Sequence, residues 1–510
     1  MRRPRPAARA ASGEREARTV SRDDARVDTG PSSGLEPSAL AGRRAVVMGL
    51  GRFGGGVGAV RYLLACGARV VGTDLRSAAE LPEALRELDG LDVELILGEH
   101  RERDFEEADL VVVNPAVPPS APLLNRARAA GTRLASEIEL FTAAAPCRLV
   151  GVTGTQGKSS TTAFTAELLR RTGLDARAGG NLGGSLLGAL AELRPAGVVV
   201  LELSSYQLEG LGRPVALARP FEAVAVTNVE ADHLERHGTL ASYAAAKRRI
   251  LELLDPTHGV AVLPAGPGPC ADWDLPAGDA VARAHRTVRF DPNATPDELV
   301  VSCAGESSTV PGPAALGLPA FQAANLRAAL ALCDALGVGR AAVAALGVAP
   351  LTAPAHRLER LADLGGASVW DNGVSTTPDS TAAALRSLDA PVVLIAGGRA
   401  KNLPTQVLAD AARGTVRAAF TFGDAAVAFA ELLATGGVAT TACPTLEAAV
   451  DAAAAALRPG DALLFSPACA SFDTHANFRE RALAFRAALE RARARSEERG
   501  GALSSPTDPA

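Results

Sequence analysis

The chain has 510 residues, of which 47% are hydrophobic and 21% are charged, and its formal net charge is −5. This composition is typical of soluble globular proteins and excludes a wholly disordered chain. The near balance of charge argues against a general nucleic-acid binder, which needs a basic surface to neutralise phosphates. At roughly 150 residues per domain, the length predicts about three domains.

Short apolar runs alternate with helical patterns along most of the chain. RAVVMGLG, ARVVGTD and LVVVNPAVP are strand candidates near the start; CRLVGVTGT, GVVVLELSS and AVAVTNV follow; and VVLIAGG, AAFTFG and DALLFSP lie near the end. This alternation predicts βαβ units around parallel sheets, so the expected fold class is α/β. The predicted organisation is a disordered tail over 1–40, three α/β units over 41–147, 148–352 and 353–492, and a second disordered tail over 493–510.

The first glycine loop, with Gly49, Gly51 and Gly54, follows a predicted strand and opens a helix, and Asp74 ends the next strand. The spacing matches the dinucleotide fingerprint, in which the backbone and a helix N-terminus approach a diphosphate and the acid binds a sugar hydroxyl. Three interpretations are open from these residues: an NAD site, a site for a different nucleotide, and a structural turn.

A second glycine loop follows the strand candidate RLVGVT and opens another helix. Its residues are Gly154, Thr155, Gln156, Gly157, Lys158, Ser159 and Ser160. The pattern is close to a P-loop, in which backbone N–H groups hold phosphate, the lysine contacts the β- and γ-phosphates and the first hydroxyl reaches Mg²⁺. It therefore predicts a nucleoside triphosphate site. A simple dehydrogenase does not explain this loop, and a simple GTPase does not explain the first one.

Lysine is scarce in this chain. Only Lys158, Lys247 and Lys401 occur, and the other 49 basic residues are arginine. Arginine is a permanently charged planar fork, whereas lysine is a compact amine that can lose its proton. A composition that replaces lysine by arginine will spare positions where arginine cannot act, so the three lysines are candidate functional residues.

The seven cysteines are widely spaced and form no CxxC pair. This favours reduced thiols in a cytoplasmic protein over a disulfide framework or a zinc site. No stretch approaches the roughly 20 apolar residues of a membrane span. The N-terminus also lacks the apolar core of a signal peptide. We therefore expect a cytoplasmic protein without a membrane span.

Several segments together resemble the Mur ligases: GTQGKSSTT, GGNLGG, ELSSYQLE, NVEADHLERHGTLASYAAAKRRI, AHRLE, AGGRAKN and SPACASFDTHANFRERA. They occur in this order within residues 41–492. The likeness is greatest to the members that use ATP to add glutamate to UDP-N-acetylmuramoyl-L-alanine in peptidoglycan synthesis. It implies a Rossmann-like UDP-binding domain, a central P-loop-type ATPase domain with a parallel sheet, and a C-terminal Rossmann-like domain for the incoming amino acid. We expect a monomer.

The resemblance assigns roles to residues of the first two units. It implies that the UDP-sugar, and not NAD, binds at Gly51, Asp74, Arg76, Asn181 and Arg236. It implies that ATP binds the second glycine loop together with Asn325 and Arg357. The implied catalytic residues are Lys158, His233 and Lys247, the last one carbamylated by CO₂. The implied ligands of two Mg²⁺ ions are Ser159, Glu202, His233 and Lys247.

The resemblance also places the incoming amino acid at the C-terminal unit. The residues implied to border its site are Thr376, Lys401, Ser471 and Phe478. Carbamate formation requires a neutral amine, which supports a lysine at 247 because arginine cannot offer one.

This sequence departs from the family pattern at several positions. Gln156 stands where asparagine is common, and we expect little effect; Gln322 stands where an adenine-binding asparagine is usual. Val374 replaces a lysine near the amino-acid site, and His475 is also a replacement there. These two changes leave alternatives open: addition of L-glutamate followed by epimerisation, or a different Mur-type ligase. More distant alternatives are a dehydrogenase with an incidental P-loop and an ATP-binding regulator without catalysis.

Overall fold

The computed structural model describes residues 34–51, 54–182, 184–211, 217–273, 286–292, 298–303, 306–316, 318–347, 349–400, 403–475 and 477–502. Three parallel-stranded sheets follow one another along the chain, which confirms the predicted α/β class. Short 3₁₀ helices supplement the main elements at Ala78–Glu80, Leu186–Glu192, Arg249–Leu253, Ala314–Leu316 and Ala320–Gln322.

The first domain is a five-stranded parallel sheet with helices on both faces. Its elements are α1 (Pro37–Leu40), β1 (Arg44–Met48), α2 (Gly55–Ala65), β2 (Arg69–Asp74), α3 (Pro82–Leu88), β3 (Val93–Leu97), α4 (Glu102–Glu106), β4 (Leu110–Val113), α5 (Pro122–Ala129), β5 (Arg133–Ala135) and α6 (Glu137–Ala144). The strand order is β3-β2-β1-β4-β5. Strands are added to one side of β1 up to β3 and to its other side from β4 onward. Ligands of such sheets bind at the carboxyl ends of the strands at this reversal point, between β1 and β4. The first glycine loop lies at that point.

The central domain holds a six-stranded parallel sheet and a two-stranded hairpin. Its elements are β6 (Arg148–Thr153), α7 (Lys158–Arg171), β7 (Ala176–Gly180), β8 (Val198–Glu202), α8 (Ser205–Gly210), β9 (Ala223–Val226), α9 (Leu234–His237), α10 (Leu240–Arg248), β10 (Val260–Pro264), β11 (Arg286–Phe290), β12 (Glu298–Cys303), β13 (Glu306–Pro311), α11 (Ala323–Ala335) and α12 (Gly339–Ala345). The order β11-β10-β9-β6-β8-β7 puts β6 between β9 and β8. The second glycine loop, which follows β6, therefore faces the ends of both neighbours.

The C-terminal domain is a third six-stranded sheet. Its elements are β14 (Glu359–Leu364), β15 (Ala367–Asp371), α13 (Pro378–Leu385), β16 (Val392–Gly397), α14 (Gln406–Ala412), β17 (Val416–Phe422), α15 (Ala426–Thr435), β18 (Ala439–Ala442), α16 (Leu446–Ala456), β19 (Ala462–Phe465) and α17 (Phe478–Ala502). The order is β14-β15-β19-β16-β17-β18, and only the edge strand β14 is antiparallel to its neighbour. The loops after β15 and β19 meet at one edge because these two strands are paired in parallel.

Buried strands explain why the sheets were predictable. In β8 and β16 every residue is buried, as expected for strands covered by helices on both faces. The hairpin of β14 and β15 was missed, although its turn carries Gly365 and Gly366, both with positive φ. Two glycines between alternating strands are a hairpin signal.

The predicted end of the N-terminal tail is too late. Leu35 and Leu40 are each 1% exposed and belong to the apolar core of the first domain, so the ordered chain begins before residue 41. At the other end, α17 continues ten residues past the predicted boundary at 492. Among the described residues, no helix combines the length and the hydropathy that crossing a bilayer requires.

Candidate active site

The second glycine loop brings its backbone unusually close to neighbouring side chains. Gly154 has φ 150° and Gly157 has φ 78°. A Cβ at Gly154 would lie 1.8 Å from Thr227 Oγ1, and a Cβ at Gly157 would lie 2.0 Å from Asn325 Oδ1. Only glycine fits both positions, because its missing side chain removes the clash and it tolerates positive φ. The loop therefore presents bare backbone at the start of α7, as a phosphate site requires.

Two lysines from different elements share one acceptor in this loop. Lys158 Nζ donates to the Gly154 carbonyl oxygen at 3.0 Å and to the Thr155 carbonyl oxygen at 2.8 Å. Lys247 Nζ donates to the same Gly154 oxygen at 2.6 Å. Lys247 of α10 thus reaches the phosphate loop, although Lys247 and Gly154 are 93 positions apart in sequence.

Lys247 is enclosed in the protein. Its side chain is 1% exposed, and its Nζ lies 4.4 Å from the centre of the Tyr243 ring. Burial, together with the positive charge of Lys158, lowers the pKa of the Lys247 amine well below its ordinary value. This shift increases the share of the neutral amine, which is the nucleophilic form.

Glu202, at the end of β8, belongs to a hydrogen-bonded cluster of four side chains. Its Oε2 accepts a short hydrogen bond from Ser159 Oγ, and its Oε1 accepts one from Asn181 Nδ2 at 2.9 Å. Arg357 Nη2 of the C-terminal domain donates to Ser159 Oγ at 2.5 Å. Glu202 is only 2% exposed. The structure thus brings together four residues that the sequence implicated separately.

His233 stands at the start of α9 in a left-handed conformation, with φ 52°. Non-glycine residues adopt such a conformation at a cost, and they concentrate at functional sites. Its Nδ1 lies 3.3 Å from Tyr206 Oη, and its Nε2 lies 3.5 Å from Asp232 Oδ2. The His233 ring is 6.2 Å from that of Tyr243, so one aromatic ring separates it from Lys247.

The nucleotide side of the loop carries an unsatisfied buried amide. Asn325 Nδ2 donates to Gln322 Oε1 at 2.7 Å. Gln322 is fully buried, and within the part of the chain that the structure describes its Nε2 has no hydrogen-bond partner. A buried donor without a partner is costly and marks a place where a ligand acceptor fits.

The first glycine loop has a different electrostatic arrangement from the NAD fingerprint. Asp74 Oδ1 accepts from the backbone N–H and the Nε of Arg76, and Oδ2 accepts from Arg76 Nη2 at 2.7 Å and from Leu50 N–H at 3.0 Å. The four lone-pair positions of the carboxylate are therefore occupied. Asp74 orients Arg76 toward the edge of the sheet where Gly51 lies, and it is not free to accept from a ribose hydroxyl.

Arg236 spans the junction between the first two domains. Its two Nη atoms donate to the carbonyl oxygens of Ala116 and Val117, at 3.0 and 3.3 Å, and its Nε donates to Glu209 at 2.9 Å. The guanidinium lies 4.8 Å from the centre of the Tyr206 ring. Arg236 therefore fixes a loop of the first domain against the site of the second.

The residues implied for the amino-acid site lie on two loops of the C-terminal domain and at the start of α17. Thr376 follows β15, Ser471 follows β19, and Phe478 begins α17. Ser471 is 2% exposed, and its carbonyl oxygen accepts from the backbone N–H of His475 at 2.8 Å. Lys401 lies outside the described residues.

Arg481 of α17 holds these two loops together. Its Nη1 donates to the carbonyl oxygens of Cys469 and Ala470, at 2.9 and 3.0 Å. Its Nη2 donates to those of Gly373 and Ser375, both at 3.4 Å. The side chain is fully buried, and burial lowers the pKa of Arg481 to about 10.

A His–carboxylate cluster anchors the entry to the C-terminal domain. His356 Nδ1 lies 2.7 Å from Asp371 Oδ2, and the backbone N–H of His356 donates to Glu359 at 2.9 Å. Arg486 pairs with both carboxylates. The guanidinium offsets part of the negative charge of the two carboxylates, and these contacts fix His356, the residue directly before Arg357.

Sequence reasoning missed Tyr243, Arg481 and the anchoring cluster. Tyr243 was detectable, because it precedes Lys247 by one helical turn and residues at this spacing are neighbours. Arg481 was also detectable, because it lies on the same helix face as the apolar residues Phe485 and Leu489, and an arginine on an apolar face indicates a buried charged group. Asp371 and Glu359 carried no local signal, because their partner Arg486 is more than 100 residues away.

Comparison with known families gives three matches along the chain. The Mur ligase MurD-like N-terminal domain matches residues 43–136, the Mur ligase middle domain matches 152–275, and the Mur ligase glutamate ligase domain matches 356–469. Among solved structures, MurC from Thermotoga maritima is similar with a TM-score of 0.56 and 18% identity, over 88% of this chain and 100% of that one. MurF from Acinetobacter baumannii is similar with a TM-score of 0.54 and 18% identity, over 89% and 91%. These similarities support the fold.

Curated relatives extend the likeness to nearly the whole chain. A UDP-N-acetylmuramoylalanine–D-glutamate ligase of Roseiflexus sp. (strain RS-1) is 37% identical, over 88% of this chain and 99% of the relative. A protein of the same name from Aromatoleum aromaticum is 36% identical, over 89% and 98%. The chain therefore belongs to the Mur ligase family, among its MurD-like members.

Proposed function

We propose that this protein is an ATP-dependent ligase that adds D-glutamate to UDP-N-acetylmuramoyl-L-alanine in peptidoglycan synthesis, forming ADP and phosphate. One observation carries the proposal: Ser159 of the phosphate loop, Glu202 of the central sheet and Arg357 of the C-terminal domain meet in one hydrogen-bonded cluster. The names of the relatives point to the same reaction.

In the first step an oxygen of the alanyl carboxylate attacks the γ-phosphorus of ATP, and the bond to ADP breaks. The product is an acyl phosphate. Two anions must approach each other, so neutralisation of charge dominates this step. Lys158 would leave the carbonyl oxygens of Gly154 and Thr155 for the phosphates, and Arg357 lies 2.5 Å from the loop hydroxyl Ser159.

In the second step the amine of glutamate attacks the acyl carbon. The amide bond forms through a tetrahedral intermediate, phosphate leaves with its bonding electrons, and the amine gives up a proton. The leaving phosphate would take up this proton, because the partly exposed His233 ring, which Tyr206 and Asp232 orient, is assigned to Mg²⁺ and has no second basic nitrogen. Closure of the C-terminal domain would exclude water, which would otherwise hydrolyse the acyl phosphate.

The oxygen-rich environment of Glu202 fits Mg²⁺, which prefers carboxylate, hydroxyl and phosphate oxygens. Ser159 and Glu202 would hold one ion, and His233 with the modified Lys247 would hold a second. Bound Mg²⁺ neutralises phosphate charge. The buried Gln322 Nε2 and the bare backbone of Gly157 likewise fit a nucleotide.

We propose that Lys247 carries a carbamate. Its neutral amine would attack CO₂, a C–N bond would form, and one proton would be released, leaving an anionic ligand on an otherwise cationic residue. The carbamate nitrogen retains one N–H, so the hydrogen bond to the Gly154 oxygen is compatible with the modification. Burial favours the neutral amine that this reaction requires.

The rest of the proposed site divides between two substrates. The UDP-sugar would be bound by Gly51, Arg76, Asn181 and Arg236, and Asp74 would act by orienting Arg76. Glutamate would be bound by Thr376, Lys401, Ser471 and Phe478. Val374, which stands where the family usually has lysine, is half-buried on the loop that leads to Thr376. This observation keeps L-glutamate as the second candidate substrate.

The deciding experiment is phosphate release with ATP, Mg²⁺ and UDP-N-acetylmuramoyl-L-alanine, with D-glutamate and L-glutamate compared in parallel. We expect turnover with D-glutamate and at least 100-fold lower kcat/KM with L-glutamate. The reverse preference would establish the second candidate. Absence of turnover with both enantiomers would overturn the proposed function.

A further inference from the structure

We infer that Gln156 is a positioning residue that joins the phosphate loop to the amino-acid domain through Thr377, and so couples closure of that domain to the loop. The inference rests on the proposed function for its kinetic consequence, but its structural part is independent. Gln156 Nε2 of the central domain donates to Thr377 Oγ1 of the C-terminal domain at 3.0 Å.

The backbone of Gln156 is fixed on both sides. Its N–H donates to Asn228 Oδ1 at 2.9 Å, and its carbonyl oxygen accepts from Thr227 Oγ1 at 2.5 Å and from Asn228 Nδ2 at 3.3 Å. A peptide unit held in this way gives its side chain one starting direction. The Gln156 side chain is therefore aimed across the cleft by the central domain itself.

The acceptor is fixed as well. Thr377 is the N-cap of α13, and its Oγ1 also accepts from the backbone N–H of Ser380 at 3.4 Å. A hydroxyl oxygen has two lone pairs, so it can serve the cap and Gln156 together. Thr377 directly follows Thr376, which we assign to the amino-acid site. A displacement of the phosphate loop would therefore move Thr377 through its hydrogen bond to Gln156, and with it the adjacent Thr376 of the amino-acid site.

The length of the side chain matters. Asparagine, which the family commonly has at this position, is one methylene shorter, or about 1.5 Å. From the same backbone position its amide would stop about 4.5 Å from Thr377 Oγ1, beyond hydrogen-bond range. The expectation from sequence, that Gln156 in place of asparagine has little effect, does not extend to this contact.

A second contact across the cleft depends on groups that the reaction uses. Arg357 donates to Ser159 Oγ, but both side chains are assigned to phosphate or Mg²⁺ and would exchange partners when ligands bind. Gln156 Nε2 and Thr377 Oγ1 have no chemical role in the proposed reaction. Their bond is therefore compatible with every step of it.

Charge across the same cleft opposes closure. Glu230 is an exposed residue whose backbone N–H donates to Thr155 Oγ1 of the phosphate loop at 2.9 Å, and partial desolvation followed by the negative charge of Asp379 raises the pKa of Glu230. Asp379 lies in the first turn of α13, two residues after Thr377. A directional hydrogen bond at this place offsets a like-charge repulsion and sets the orientation in which the two domains meet.

The kinetic test uses Thr377→Val, which keeps the shape of the side chain and removes the acceptor. We expect the KM for glutamate to rise about fivefold, because the loss of one neutral hydrogen bond usually weakens binding by about this factor. The KM for ATP should change less than about twofold. Thr377→Ser should restore the native values. Thr445→Val is the matched control, because Thr445 caps α16 of the same domain through Ala448 and does not contact the phosphate loop.

A double-mutant cycle separates the bond from the helix cap. Gln156→Asn should raise the KM for glutamate as Thr377→Val does, and the double variant should show no further rise. Equal effects of Thr377→Val and Thr445→Val, or additive effects in the double variant, would overturn the inference.

A structural readout makes the test independent of turnover. Small-angle X-ray scattering of the full chain without ligands should show a larger radius of gyration for Gln156→Asn than for the native protein, with Thr445→Val unchanged. If the native protein releases no phosphate, the proposed function fails while this comparison still decides the inference. Identical scattering of the three proteins would refute the coupling.

Discussion

At the scale of single residues, Lys247 shows how burial changes what a side chain can do. Its amine is enclosed by Tyr243 and the Gly154 carbonyl oxygen, and its pKa is lowered, so it can combine with CO₂ as arginine cannot. We expect Lys247→Arg to lower kcat at least 100-fold. Bicarbonate labelled with ¹³C should give a carbamate signal by NMR in the native protein and none in the variant.

The neighbouring Arg248 provides the control for this prediction. It is exposed on the same helix, so Arg248→Lys exchanges the same two residue types without touching the site. This variant should keep native activity within about twofold. Native-like activity of Lys247→Arg would exclude a functional carbamate at this position.

Asp74 gives a prediction for pH. Burial acts to raise its pKa, but hydrogen bonds from Arg76 and Leu50 outweigh burial and leave the pKa below its ordinary value. A carboxyl group whose folded pKa is depressed stabilises the protein above its unfolded pKa of about 3.9, and that contribution is lost as the pH falls through the folded value. Asp74→Asn should therefore lower the free energy of unfolding at pH 7 by about 1–2 kcal/mol.

Urea unfolding at several pH values tests this sign. The difference between native and Asp74→Asn protein should be constant from pH 7 to 5 and should narrow below about pH 4. Asp363→Asn is the control, because Asp363 also pairs with an arginine, Arg360, but on an exposed surface where solvent screens the pair. Its urea midpoint should stay native. A difference that grows toward low pH would contradict the assignment.

At the scale of elements, α17 organises the loops of the amino-acid site through Arg481. Removing its guanidinium takes away one donor from each of four backbone carbonyl oxygens, of which that of Ala470 keeps the Arg399 N–H. We expect Arg481→Met to lower the free energy of unfolding by about 3 kcal/mol and to raise the KM for glutamate. Arg491→Met, on an exposed face of the same helix, should change stability by less than about 0.5 kcal/mol. Equal effects of the two variants in chemical denaturation would rule out this role.

Strands and helices were predictable where the residues of the element itself carry the signal. Strands β1, β6, β8 and β16 are continuous apolar runs, and the phosphate loop is specified by local glycines. The edge strand β3, which is only partly buried, gave a weak pattern and was missed. A weak local pattern also explains why the N-terminal tail was predicted to extend to residue 40. Leu35 lies in a mostly polar segment, and its burial depends on contacts with the core of the first domain.

At the scale of the whole molecule, the contacts between domains position the site. Arg236 ties the loop at Ala116 and Val117 to the central domain. Arg236→Ala should raise the KM for the UDP-sugar about tenfold, with the KM for glutamate unchanged, since both hydrogen bonds of a charged group to the Ala116–Val117 loop are lost. Hydrogen exchange at 114–117 should become faster. Arg126→Ala, on the surface of the first domain, is the control. Unchanged exchange in Arg236→Ala would contradict the docking role.

Contacts of this kind could not be predicted from the chain alone. Gln156 and Thr377 are 221 residues apart, and Ser159 and Arg357 are 198 apart. No periodic pattern reports on such separations. The sequence nevertheless predicted the glycine loop between β6 and α7, because phosphate chemistry requires particular residue types at fixed spacing.

The Gly154 carbonyl oxygen has a thermodynamic consequence for ligand binding. A carbonyl oxygen has two lone pairs, and here lysines from α7 and α10 use both. When Lys158 turns toward phosphate, it gives up its hydrogen bonds to the Gly154 and Thr155 oxygens and forms new ones to the phosphate, so the total number of hydrogen bonds rises little. We therefore expect calorimetry to show a small enthalpy of nucleotide binding, with much of the free energy arising from released water and counterions.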